Sequence, residues 1–233
     1  MKTAGIVVFP GSNCEHDVAE ALVGVGMGSR LVWHGDDALG DVDAVVLPGG
    51  FAHGDYLRPG AIARFSPIMA AVAAFAREGG PVIGICNGFQ VLTEAGLLPG
   101  ALRQNRGLKF LCSEVKTRVD SNRSVLTGSV AAGTVLELPI NHFSGAYSCP
   151  PEVLSELRSE DRIVLRYVDN PNGSVDDIAG ICSSAGNVVG LMPHPERACD
   201  PLGLQDGRAL WTSLVAATAA GSAATLSGVP GSP

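Results

Sequence analysis

Two short segments hold the three groups that a cysteine-dependent acyl transfer needs: Gly84-Ile85-Cys86-Asn87-Gly88 and, far downstream, Met192-Pro193-His194-Pro195-Glu196. The first has the form Gly-x-Cys-x-Gly, a strand–turn–helix elbow with sulfur in place of the usual serine oxygen. A nucleophile on so sharp a turn needs small neighbours. It stands at the carboxyl edge of a sheet, where ligand sites of α/β proteins form. The following helix aims its N-terminus at the sulfur, a position that suits a negative charge. The competing reading is a structural cysteine between packing glycines, since free cysteine is among the most buried residue types. In the second segment Pro193 and Pro195 favour an extended backbone, so His194 and Glu196 project to one side. His194 then faces the thiol as base, and Glu196 fixes its tautomer. Alone, His-Pro-Glu reads as a loop histidine beside a solvated glutamate; together with the elbow it reads as base and orienter.

A third segment, Leu47-Pro48-Gly49-Gly50-Phe51, ends another apolar run. Paired glycines leave backbone N–H groups free to meet a developing oxyanion. The donors expected are Gly50 or Phe51 on this turn and Asn87 in the elbow, each worth roughly 3–4 kcal/mol in the transition state. A plain turn is the bland alternative. No G-x-G-x-x-G follows the first strand and no Walker motif is present, so nothing suggests a nucleotide site. Cys14, His16 and Asp17 match no common metal spacing, and no metal is expected. Cys14, Cys112, Cys149, Cys182 and Cys199 lack any C-x-x-C spacing and read as structural. His16, His34 and His53 read as surface or loop residues.

The elements that must position these groups alternate. Strands are expected over 5–9, 30–34, 44–47 and 81–86, and helices over 15–25, 61–77 and 87–95, the first capped by Ser12 or Asn13. Such alternation predicts right-handed βαβ units and a parallel sheet covered on both faces. Beyond about Leu108 the pattern becomes strand-rich (108–119, 134–140, 162–168, 178–182, 188–192). That implies an antiparallel extension whose last strand rejoins the main sheet, followed by a helix over 206–220. The whole is a single domain over 1–220, and the Ala/Gly/Ser/Pro-rich tail 221–233 should be poorly ordered. With 233 residues, 46% of them hydrophobic, one large core is feasible. The net charge of −7 argues against nucleic-acid or anionic-membrane surfaces. No stretch approaches a membrane span, and the first residues read as a strand rather than a signal peptide. These features describe a cytoplasmic protein with reduced thiols.

The Pro-Gly-Gly turn, Gly84 to Gln90 and the terminal His-Pro-Glu resemble the triad type, class I, of glutamine amidotransferases. Further segments narrow the resemblance to the glutaminase-subunit family of phosphoribosylformylglycinamidine synthase: Phe9–Cys14, Gly54-Asp55-Tyr56-Leu57-Arg58, Asn170–Ser174 and Asp177–Gly180. It covers about residues 4 to 215. It implies a flavodoxin-like doubly wound α/β fold, mostly parallel with an antiparallel extension, and a triad of Cys86, His194 and Glu196 that hydrolyses glutamine through a thioester. Gln90, Gly49, Asn105 and His142 are implied glutamine contacts. The implied partners are a large synthetase subunit, which uses ATP and Mg to aminate formylglycinamide ribonucleotide, and a small bridging subunit. No cofactor is implied for this chain. One departure stands out: His142-Phe143-Ser144-Gly145 replaces the family's usual His-Gly-Glu-Gly. The alternatives are a stand-alone cysteine hydrolase or glyoxalase-like protein on the same fold, and a non-catalytic subunit that only binds a partner.

Overall fold

The structure, a computed structural model, describes residues 1–226. In chain order its elements are β1 (Thr3–Val8), α1 (Glu15–Gly24), β2 (Gly28–Trp33), β3 (Ala44–Leu47), α2 (Ile68–Arg77), β4 (Val82–Ile85), α3 (Asn87–Glu94), β5 (Ala101–Arg103), β6 (Leu111–Val119), β7 (Val135–His142), β8 (Ala146–Ser148), α4 (Pro151–Ser159), β9 (Ile163–Tyr167), β10 (Ile178–Cys182), β11 (Val188–Leu191) and α5 (Gly207–Leu226). One nine-stranded sheet runs β2-β1-β3-β4-β11-β10-β9-β6-β7, and β5 pairs with β8 in a small second sheet. The first five strands are mutually parallel, in the doubly wound order expected of a flavodoxin-like fold. From β11 outward every pairing is antiparallel.

The two halves differ in patterning for a physical reason. Strands β3, β4 and β11 are buried at every position, as strands covered on both faces must be. Strand β7 alternates between buried and half-buried or exposed residues, the period of a strand with one face on the core. Helix α3 packs against β3, β4 and β11, and α1 meets α5. Insertion of β11 beside β4 joins the two halves, pairing Leu191 with Ile85 and Gly190 with Gly84.

Some expectations need correction. The single helix expected over 61–77 is a 3-10 turn at Ala63–Phe65 and then α2. Ser66 is extended (ψ 139°), as a residue before proline prefers, and Pro67 is the N-cap of the new helix. Neither Ser12 nor Asn13 caps α1. The Ser12 hydroxyl accepts from the Phe9 N–H (3.0 Å), and the Asn13 and Cys14 N–H groups both donate to Gly49 O (3.2 Å each). Elements β5, β8 and α4 lie outside the elements expected from the sequence. Helix α5 continues to Leu226; residues 227–233 of the expected tail lie outside the described residues. No described helix is long and apolar enough to cross a membrane.

Candidate active site

Cys86 sits between the end of β4 and the start of α3 with φ 50° and ψ −102°, a strained conformation for a non-glycine residue. The flanking glycines explain how the turn closes. A Cβ at Gly88 would lie 1.9 Å from Leu47 O, and one at Gly84 would lie 2.5 Å from Leu92 and 2.7 Å from the Gly88 backbone. The elbow therefore needs both glycines, and it holds the Cys86 thiol at the base of a pocket with its sulfur 3.7 Å from the Asn141 carbonyl. The Cys86 N–H bonds Leu191 O (2.8 Å), tying the elbow to β11.

Strand β11 delivers the base. Three residues past its end, the His194 N–H donates to Pro139 O on β7 (2.8 Å). Its Nδ1 lies 2.7 Å from Glu196 Oε1, and both side chains are buried. Nδ1 therefore carries the proton that Glu196 accepts, leaving Nε2, a buried atom, as the ring's free acceptor. Burial favours the neutral ring, but the negative charges of Glu196 and Cys86 outweigh it and hold the His194 pKa well above its ordinary value. Behind the pair, the Cys14 thiol lies 4.0 Å from Nδ1 and receives Arg197 Nη2–H at 3.2 Å. Cys14 Sγ, His194 and Glu196 place ligand atoms within 4.8 Å of one another. The hydrogen bond between His194 and Glu196 already uses two of those groups. His16, two residues after Cys14, is not part of this cluster: it is exposed and 4.0 Å from Glu15.

The Pro48-Gly49-Gly50 turn brings β3 alongside. Gly50 has φ 153°, and a Cβ there would lie 2.7 Å from Gly11 O. Its N–H has no hydrogen-bond partner among the described residues, and neither does that of Asn87, first residue of α3. Phe51 is corrected as an oxyanion donor: its N–H already donates to Gly11 O (2.8 Å). Gly49 is corrected as a substrate contact. It lies behind the pocket, where a Cβ would come within 2.7 Å of the His194 ring. Its role is to make room for the base.

A pocket of about 690 Å³ opens over Cys86. Gln90 lines it, accepting Asn87 Nδ2–H at 2.9 Å and donating to Ser144 O at 2.6 Å. Asn105 also lines it, but its side chain is spent internally: Nδ2 donates to Lys109 O (2.9 Å) and His142 O (3.0 Å), and Oδ1 accepts from Gly145 N–H (3.1 Å) and from the His142 ring (3.1 Å). Asn105 therefore shapes the 142–145 loop rather than offering a free amide to substrate, correcting that expectation. His142 is buried, and burial with the nearby His194 pushes its pKa down to about 4, so it is neutral at neutral pH. Asp55 was unassigned from sequence. Its half-buried carboxyl lines the pocket, and burial raises its pKa to about 6. Only the Gly54–Arg58 segment hinted at it.

Two other expectations shift. Cys112 lies exposed on β6. His34 and His53 face one another, ring centroids 5.1 Å apart, beside Phe9.

A strained-elbow cysteine at the end of a parallel strand, with a buried His–Glu pair at the end of its neighbour, defines a triad-type cysteine amidohydrolase on a flavodoxin-like sheet. Residues 2–211 match the model of the CobB/CobQ-like glutamine amidotransferase domain. Curated relatives include the phosphoribosylformylglycinamidine synthase subunit PurQ of Rubrobacter xylanophilus, 56% identical over 91% of this chain and 97% of that protein. PurQ of Salinibacter ruber is 50% identical, over 91% of this chain and 94% of that one. Among solved structures, PurLQS from Thermotoga maritima matches with TM-score 0.86 at 43% identity, covering 92% of this chain and 98% of the other. The chain belongs to the glutamine amidotransferase family and, within it, to the PurQ subunits of phosphoribosylformylglycinamidine synthase.

Proposed function

We propose that this chain is the glutaminase subunit of a phosphoribosylformylglycinamidine synthase, and that Cys86, His194 and Glu196 are its triad. His194 Nε2 takes the Cys86 proton, and the thiolate attacks the side-chain amide carbon of glutamine. The tetrahedral oxyanion lies against the free N–H groups of Gly50 and Asn87. The imidazolium, steadied by Glu196, gives its proton to the leaving nitrogen, and ammonia departs. A thioester on Cys86 remains. His194 then deprotonates a water that attacks it; glutamate leaves and the thiol is restored. The observation that carries this is the pairing of a positive-φ elbow with the buried 2.7 Å contact between His194 and Glu196 on adjacent strand ends.

The released ammonia goes to a separate synthetase subunit, which uses ATP and Mg to aminate formylglycinamide ribonucleotide; a small bridging subunit completes the assembly. Similarity to PurLQS of Thermotoga maritima supports the expectation of such partners. On this chain, apolar side chains stand exposed around the pocket mouth: Phe51, Leu57, Leu108 and Phe143 on its lining, with Tyr56 and Phe110 beside them in sequence. Exposed apolar clusters of this kind mark interaction surfaces, and we place the synthetase there, closing the mouth over released ammonia. Leu57→Asp should weaken the complex at least about tenfold, near 1.4 kcal/mol, by sedimentation or calorimetry. Glutaminase activity that survives Cys86→Ala would refute the mechanism; the expected loss is on the order of 10⁴-fold or more. Vigorous ester or glyoxal turnover by the purified chain without partners would favour the stand-alone hydrolase instead.

A further inference from the structure

We propose that Asp55 recognises the α-ammonium of the amino-acid substrate and so sets the specificity of the pocket. This refines the glutaminase reading and rests on it. Asp55 is the one acidic residue on the pocket lining, where Arg103 and Arg106 supply the opposite charge; Arg58, also on the lining, is paired with Glu94. A cavity with one carboxylate facing a set of guanidinium groups is complementary to a zwitterion: the arginines suit an α-carboxylate, the aspartate an α-ammonium. The two signs come from different segments. Asp55 follows β3, whereas Arg103 and Arg106 lie at the end of β5 and just beyond it.

The carboxylate is held and waiting. Among the described residues it has no ion pair, and its single hydrogen bond is a long one from Asn87 Nδ2 (3.4 Å). Asn87 follows the nucleophile and continues the chain of contacts through Gln90 to Ser144 O. Asp55 is therefore linked to the residue that follows the nucleophile. Its backbone is fixed: His53, Gly54 and Asp55 have φ of 54°, 70° and 54°, an uncommon run that persists where surrounding structure imposes it. A half-buried carboxylate without a cation is costly to ionise, and its raised pKa, about 6, agrees with a site completed by a positively charged ligand. Arg58 is already committed to Glu94 (2.6 Å), so it does not neutralise Asp55.

The test uses the assembled complex and two substrates, L-glutamine and glutaramate, which has the same side-chain amide but lacks the α-amino group. For Asp55→Asn, kcat/KM on glutamine should fall about 10- to 100-fold, chiefly through KM, while kcat/KM on glutaramate stays within about twofold. The preference for glutamine over glutaramate thus collapses. Equal losses on both substrates would mean that Asp55 only buttresses Asn87, and would overturn the proposal. Asp55→Glu, which keeps the charge, should restore part of the preference, and it serves as the second variant if the asparagine form folds poorly. A wild-type complex that releases no glutamate from glutamine would instead sink the glutaminase reading and this proposal with it.

Discussion

The parallel half of the sheet and its antiparallel half contribute to one pocket by different physical means. The parallel half places Cys86, Gly50 and His194 by backbone geometry: strand ends, a positive-φ elbow and glycines that leave no space for a Cβ. The antiparallel half supplies the opposite wall, Asn141 to Ser144, and holds it with buried side-chain hydrogen bonds from Asn105, Asn172 and Ser174. The reacting atoms thus sit on the part hardest to deform, and the substrate wall on the part that polar contacts can tune. If that division is right, damage to the first half should appear in kcat and global stability, and damage to the second in KM.

Gly88→Ala gives the largest expected effect. Its Cβ would fall 1.9 Å from Leu47 O, a backbone atom of β3 that cannot swing away as a side chain would. Stability should drop by about 3 kcal/mol, the upper range for overpacking. A shift near 1 Å in the Cys86–Asn87 elbow would also cost about 100-fold in kcat. Thermal melting and glutaminase assays check both. A variant with native kcat would break the claim that the elbow is sterically locked.

Asn172→Ala probes the other half. Asn172 is fully buried, donates to Gly145 O (2.9 Å) and accepts from the Ser174 N–H (3.0 Å) and hydroxyl (2.9 Å). Truncation leaves the Ser174 N–H unpaired and Gly145 O with only the long contact from the Ser174 hydroxyl (3.4 Å), at a cost of about 2 kcal/mol, and frees Gly145 and Ser144 to drift. KM for glutamine should rise several-fold with kcat nearly kept. A kcat loss as large as that of Gly88→Ala would erase the distinction between the halves.

The same division governs what could be read from the sequence. The elbow, the Gly-Gly turn and His-Pro-Glu were legible because each is a local constraint, in which residue type and spacing follow from backbone sterics. The parallel strands were legible because burial on both faces leaves uninterrupted apolar runs such as Ala44–Leu47. Assigning Asn105 and Gly49 to substrate failed because partner choice depends on tertiary neighbours: Asn105 meets the 142–145 loop, and Gly49 meets the ring of His194. Phe51 failed as a donor because Gly11, far off in sequence, claims its N–H. Strands β5 and β8 escaped notice because three-residue strands carry too little periodicity to register.

The smallest effect concerns acid. Asp176 precedes β10 and binds Arg158 through two contacts, 2.8 and 2.7 Å, and Arg166 at 2.6 Å. Those guanidinium groups, led by the Arg158 hydrogen bonds, hold its pKa down at about 2 against burial. A depressed carboxylate adds stability that is fully present above its unfolded pKa, 3.8, and is lost as pH falls from there toward about 2. Asp120, which binds Arg118 and Arg166, is lowered as well, so the antiparallel half carries two such links. The melting temperature of Asp176→Asn should therefore lie below wild type at pH 7, and the gap should close between pH 4 and pH 2. Much of the pair is exposed to solvent, so salt should shrink the gap. Hydrogen exchange on the wild type localises the effect: at pH 3, amides of β9 and β10 should open relative to those of β3 and β4. Uniform acid sensitivity across the sheet would mean that charge does not distinguish the two halves, and that the glutamine wall owes its position to the shared core instead.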